Sequence, residues 1–165
     1  LSAHIYNFDP SFAPSGKTTL NVMFESDFNY WAELSQDMEK YKAEKERIAE
    51  GWFTIEGGRK AAKKLFESGL EIDAVFGIND LIALGVLQYC NETGRSVPEQ
   101  VGVIGFDDIS YAALPQIQLT TVHQPKHELG RLIFDTLYKE IKGADKSQLT
   151  KLRLEPQLVV RKTTK

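Results

Sequence analysis

Val101-Gly102-Val103-Ile104-Gly105-Phe106-Asp107-Asp108 is apolar or glycine as far as Phe106 and then turns abruptly acidic. Such a run, rich in β-branched residues and without polar alternation, suits the central strand of a parallel sheet, covered on both faces. In an open parallel sheet, ligands gather outside the carboxyl ends of the strands, which is where the acids fall. A second run, Ile72-Asp73-Ala74-Val75-Phe76, has the same form and leads to Asn79-Asp80. The two loops together place amide and carboxylate groups on one edge of the sheet.

Outward from these runs, strands alternate with helices. Asn79 is a good N-cap for a helix over 81–90 that is apolar on more than one face and closed by Gly94. Such a helix is covered from several sides. Upstream, Gly58, Ala61, Ala62, Leu65 and Phe66 form a narrow apolar stripe at helical spacing. That helix is entered through a short extended piece, Trp52-Phe53-Thr54, and ended by Gly69. Residues 18–24 read as a strand, and the charged stretch 30–49 follows at helical period. Downstream, Leu119-Thr120-Thr121-Val122 is extended and Pro125 suits the first position of a helix. Leu129, Leu132, Ile133, Leu137 and Ile141 make that helix amphipathic up to Gly143. Short strands around 152–154 and 158–160 flank Pro156. The fold class is α/β, a parallel sheet flanked by helices. Residues 1–17 fit the rhythm poorly: 4–8 could be a strand, and 9–16 is a loop.

With 165 residues, 42% of them hydrophobic, the chain can build one domain or one lobe of a larger one. Its net charge of −3 leaves no excess of Lys and Arg for displacing counterions from a duplex. Any DNA contact made by the whole protein is expected outside this stretch. Cys90 is the single cysteine, which rules out an internal disulfide and fits a reducing compartment. No apolar run has transmembrane length, and no membrane association is expected. The chain begins at Leu1 rather than Met and is expected to be a fragment.

An enzyme finds little support. His123 and His127 are separated by Pro125 and lack the zincin spacing, and with His4 they are too few for a metal site. Ser110 lies in no nucleophile elbow, and Glu56-Gly57-Gly58 is too short to cradle a phosphate. No metal and no cofactor are expected. Amides and acids on one edge suit a polyhydroxylated ligand, whose hydroxyls they can bridge. Taken locally, Asn79 reads first as a helix cap and Asp107 as the close of a turn, ahead of any ligand contact.

Four stretches go further. The run 74–85, Ala-Val-Phe-Gly-Ile-Asn-Asp-Leu-Ile-Ala-Leu-Gly, resembles the A-x-F-x-x-N-D-x-x-A-x-G of the lactose/galactose repressor (LacI/GalR) family of transcriptional regulators. Residues 96–108 are similar to its V-P-x-D-V-x-V-I-G-F-D-D, 119–125 to its L-T-T-V-x-Q-P, and 158–164 to its closing L-V-x-R-x-S/T-T. Their order and spacing agree, and the resemblance covers residues 50–165.

The resemblance implies the C-terminal lobe of a periplasmic-binding-protein-like (type I) effector domain. Residues 1–120 would form that lobe, with 1–17 unassigned. Residues 121–145 would be a hinge strand and a helix of the other lobe, and 146–165 a returning hinge strand and C-terminal strand. It implies a small-molecule effector, expected to be a carbohydrate, contacted by Asn79, Asp107 and Gln124. Phe53 would pack on a sugar ring, with ordinary core packing as the alternative. One departure stands out: in the register that aligns Tyr41 with the family aromatic, Asp37 replaces an effector-binding Arg, and Tyr30 and Trp31 could supply stacking instead. The resemblance further implies a cytoplasmic homodimer, with Leu84 and Leu87 at the interface or simply buried within the chain. Operator DNA would be bound only through a helix-turn-helix domain absent from this stretch. An exported sugar-binding receptor shares the lobe architecture and is the alternative.

Overall fold

The computed structural model describes residues 19–21, 46–142 and 154–165. They form one five-stranded sheet in the order β1-β2-β3-β4-β5, with β1 Thr19–Asn21, β2 Ala74–Phe76, β3 Gly102–Asp107, β4 Thr120–His123 and β5 Gln157–Val159. The first four strands are parallel and β5 is antiparallel to β4. The expected parallel sheet is formed by β1–β4, and one antiparallel strand at its edge makes the whole sheet mixed. The chain leaves along β4, forms a helix and comes back beside the strand on which it left, so the return runs the other way.

The helices are α1 Ile55–Phe66, α2 Asp80–Glu92 and α3 Lys126–Ile141, with a 3₁₀ turn at Ser110–Ala113. Thr54 caps α1, its Oγ1 accepting the Gly57 N–H at 3.0 Å. The expected extended piece before it is instead a tight turn. Trp52 and Phe53 sit at φ 50° and 53°, and the Thr54 N–H closes back on the Gly51 carbonyl at 3.3 Å. Thr54 can cap only if the chain reverses just before it. Gly69, at φ 84°, lies beyond the helix in the following turn, not at its immediate end.

α1 and α2 touch backbone to backbone. A Cβ at Gly58 would strike the Ile82 main chain, and one at Gly85 would strike Ile55 and Arg59. This crossing explains why α2 is apolar on more than one face: one side packs on the sheet and another on α1. The core gathers Val75, Val103 and Leu119 against Ala62, Ala83, Val86, Tyr89 and Cys90. Burial of each large aliphatic side chain contributes about 1.5–3 kcal/mol. Along β3 burial alternates: Val103 and Gly105 are buried, whereas Ile104 and Phe106 on the opposite face are half-buried.

The C-terminal tail is sewn in by threonines. Thr163 donates its hydroxyl to the Val103 carbonyl at 2.6 Å and accepts the Thr120 N–H at 2.8 Å, and its own carbonyl accepts the Val103 N–H at 2.8 Å. Thr120 and Thr164 share a hydroxyl–hydroxyl bond of 2.9 Å. The tail thus bridges β3 and the start of β4. By contrast, α3 makes no extensive contact with the other described elements, and Leu129, Ile133, Phe134 and Tyr138 on it are exposed. The expectations placed on 1–17, on the helix over 30–45, on Gly143 and on a strand at 152–153 lie outside the described residues; the end of the expected 30–49 helix comes early, with Glu46 helical, Arg47 in a turn and 48–50 without regular structure.

Candidate ligand-binding edge

Asn79 follows β2 and caps α2. Its backbone is extended and its Oδ1 accepts the Ile82 N–H at 2.8 Å. The capping role is therefore real, and among the described residues the carboxamide nitrogen has no hydrogen-bond partner. Asp80, in the first turn of α2, is 0% exposed. Its Oδ2 accepts the Ile109 N–H at 2.8 Å and its Oδ1 accepts the Thr121 hydroxyl at 2.5 Å. Burial raises its carboxyl above the usual range, while these two bonds pull the other way.

At the end of β3 the backbone is unusual. Asp107 has φ 110° and Asp108 φ 50°, a region that side-chain-bearing residues rarely enter, at a cost on the order of 1–3 kcal/mol each. The Asp107 carboxylate accepts from Gln124 Nε2 at 2.7 Å. Burial raises the Asp107 carboxyl, opposed by the Gln124 bond and the Lys126 charge. Asp108 faces β4 and the segment after β5. It accepts from Arg161 Nη2 at 2.7 Å and pairs with His123 Nδ1 at 2.9 Å, while its N–H donates to Thr121 Oγ1 at 3.3 Å. Partial burial would raise its carboxyl, but Arg161 and then His123 outweigh that and hold it below the usual range. With Asp108 ionised, the proton between them resides on His123 Nδ1. Arg161 also donates through Nη1 to the Leu119 carbonyl at 2.8 Å.

Three of the expected site residues therefore share one edge. Asp107 and Gln124 touch directly. Asn79 is tied to them through its neighbour Asp80, which holds the backbone at Ile109, just past Asp108. Phe53 is 47% exposed, so it is not a core residue. Its turn lies beside the first turn of α2, because Gly51 packs on the side chain of Ile82, the residue whose N–H Asn79 caps. Tyr30 and Trp31 lie outside the described residues. Leu87 packs against the core, and Leu84 is half-buried on α2. The roles of Asp80, Asp108, His123 and Arg161 were not anticipated. The only local signal was the Asn-Asp and Asp-Asp doublets, whose second acids point into the structure.

Other chemistry is sparse. No group of three or more His, Cys, Asp or Glu suited to a metal ion occurs among the described residues. Burial pushes the Cys90 thiol up to about 11, so it stays protonated and unreactive. A concavity of about 490 Å³ lined by Glu46, Ile48, Lys64, Ser68 and Leu70 includes none of the edge residues. Among the described residues no helix is long and apolar enough to cross a membrane.

The chain as a whole is similar to known proteins. The family model for a periplasmic binding protein-like domain matches residues 12–164. The chain belongs to the periplasmic binding protein-like domain family. Its relatives lie among LacI/GalR-type regulators, as its four motifs imply. It is 36% identical over 126 residues to the HTH-type transcriptional repressor PurR of Vibrio atlanticus, covering 76% of this chain and 37% of that protein. It is 40% identical over 111 residues to the ribose operon repressor of Escherichia coli K12, covering 67% of this chain and 33% of the repressor. A LacI family transcriptional regulator from Arthrobacter sp. FB24, in complex with lactose, superposes with a TM-score of 0.63 at 32% identity, covering 76% of this chain and 51% of that one. The chain spans about a third of the length of the curated relatives it matches. Within this family a mixed sheet with helices is the expected lobe, and the two curated relatives are transcriptional repressors.

Proposed function

We propose that this chain is the effector-sensing part of a LacI-type transcriptional regulator, and that Asn79, Asp107 and Gln124 form one wall of its effector site. The observation that carries the reading is the contact of Gln124 Nε2 with the Asp107 carboxylate at the carboxyl end of the sheet, beside the Asn79 cap. Two carboxamides and a carboxylate so placed can bridge adjacent hydroxyls of a small carbohydrate. The lactose in the structural relative and the printed name of the ribose operon repressor point to the same ligand class. Phe53, exposed beside α2, offers a ring for the C–H face of a sugar.

The rest follows from the lobe. The exposed apolar side of α3 supports its placement in a second lobe, with β4 and β5 as crossing strands. Effector binding between lobes draws them together about those strands and alters the spacing of paired DNA-binding headpieces, to the extent that the effector prefers one lobe arrangement. Operator DNA is met by another part of the protein, the protein works in the cytoplasm as a homodimer, Leu84 on α2 contributes to the interface, and no catalysis is performed. The repressor names of the relatives favour this regulator over an exported receptor.

The test uses the full-length protein. A thermal-shift screen with D-ribose, lactose and other sugars is followed by calorimetry on Asp107→Ala and Asn79→Ser. Serine keeps the capping oxygen and removes the carboxamide. Both variants are expected to lose the response while remaining folded. Unchanged affinity in both would defeat the site.

A further inference from the structure

We propose that Asp108 is a positioning residue for the effector site, clamping both crossing strands so that Asp107 keeps the backbone conformation in which it meets Gln124. The inference rests on the reading of Asp107 as an effector contact. Asp107 and Asp108 are consecutive residues with positive φ, 110° and 50°. Neither is glycine, and such a pair persists only where its surroundings hold it. Most of the holding contacts belong to Asp108, with Asp80 taking the Ile109 N–H just beyond it. Its two carboxylate oxygens are engaged separately, Oδ1 by Arg161 on the returning segment and Oδ2 by His123 on the outgoing strand. Its N–H is taken by Thr121 Oγ1, which in turn donates to the buried Asp80. Asp107 itself has one side-chain bond, to Gln124, one residue beyond His123. The acidic doublet thus divides its labour: the first acid faces the ligand edge, and the second fastens the turn to β4 and to the segment after β5. Any change in the spacing of the crossing strands reaches the ligand edge through one peptide unit.

The test reads Gln124 directly, with or without a ligand. In the ¹⁵N-labelled full-length protein, the Gln124 side-chain amide protons are expected to be shifted and protected from exchange by the Asp107 bond. Asp108→Ala and Arg161→Gln should move them to free-amide positions and speed their exchange by about tenfold or more, with Asp108→Asn intermediate. Lys165→Ala removes a different anchor of the same tail, the bond from Nζ to the Glu99 carbonyl, and should leave Gln124 unmoved. Should Asp108→Ala fail to fold, Arg161→Gln decides. Unchanged Gln124 signals in the folded clamp variants, or an equal shift in Lys165→Ala, overturn the proposal. Calorimetry with lactose and D-ribose separates the two readings. If the clamp variants free Gln124 but Asp107→Ala binds sugar normally, the effector site is wrong and the clamp stands.

Discussion

The buried carboxylate of Asp80 accepts the hydroxyl of Thr121 at 2.5 Å, joining the first turn of α2 to β4 across the end of β3. Its second oxygen takes the Ile109 N–H, so both oxygens act as acceptors for groups that water cannot reach easily. Asp80→Ala would leave those donors without partners. The expected loss is about 3 kcal/mol by urea denaturation, with Asp80→Asn losing about 1 kcal/mol because it keeps the shape and one acceptor. An alanine variant as stable as the parent would mean that solvent or a rearrangement satisfies both donors.

Gly105 is glycine because Asp80 lies against it. A Cβ there would run into Asp80 Oδ1 and come within 2.9 Å of Leu119 Cδ2. Gly105→Ala is expected to cost about 1–3 kcal/mol. Part of that penalty should vanish in an Asp80→Ala background, giving a coupling of at least about 0.5 kcal/mol in a double-mutant cycle. Strict additivity would show that the crowding comes from Leu119 alone.

The carboxyl groups of the edge respond to pH in opposite senses. Asp80 and Asp107 are raised in the folded state, so their contribution is fully present below the unfolded value of about 3.9 and is lost as pH rises through the folded pKa. Asp108 is lowered, so its contribution is present above about 3.9 and is lost as pH falls through its folded pKa. The stability gap between the parent and Asp108→Asn should therefore shrink from pH 7 towards pH 3. The balance between the parent and Asp80→Asn should move towards Asp80→Asn as pH rises from 3. Denaturant melts across that range check both slopes, and parallel profiles for all three proteins would contradict the assignment.

Phe53 separates binding from folding. It is about half exposed, so Phe53→Ala should change stability by no more than about 0.5 kcal/mol. Loss of a ring stacked on a sugar should weaken effector binding by about 0.5–1.5 kcal/mol, up to roughly tenfold in Kd. Calorimetry with whichever sugar the full-length protein binds would show it, and an unchanged Kd would remove Phe53 from the site.

Leu84 tests association. Leu84→Lys places a charge at a half-buried position of α2 that is not part of the core cluster. Light scattering should report a dimer for the parent and a monomer for the variant. A dimer in both would place the interface elsewhere.

Much of this molecule is legible in its residues taken in order. The apolar run 101–106, the cap at Asn79, the stripe from Gly58 to Phe66 and the spacing of the four motifs all act over a few neighbours, so they specify strands, helices and their alternation without reference to distant contacts. Those local patterns were enough to place Asn79 and Asp107 at one edge of a sheet, and the family resemblance added Gln124. What they could not carry is the partnership of each acid. Asp80 and Asp108 are chemically like their neighbours in sequence, and only packing separates the side chain that is sealed against Thr121, or clamped by Arg161, from the one left facing the edge. The direction of β5 belongs to the same class. It depends on where the chain must be many residues later, and a hydrogen bond between positions 41 or 53 residues apart leaves no trace in the local order of the chain.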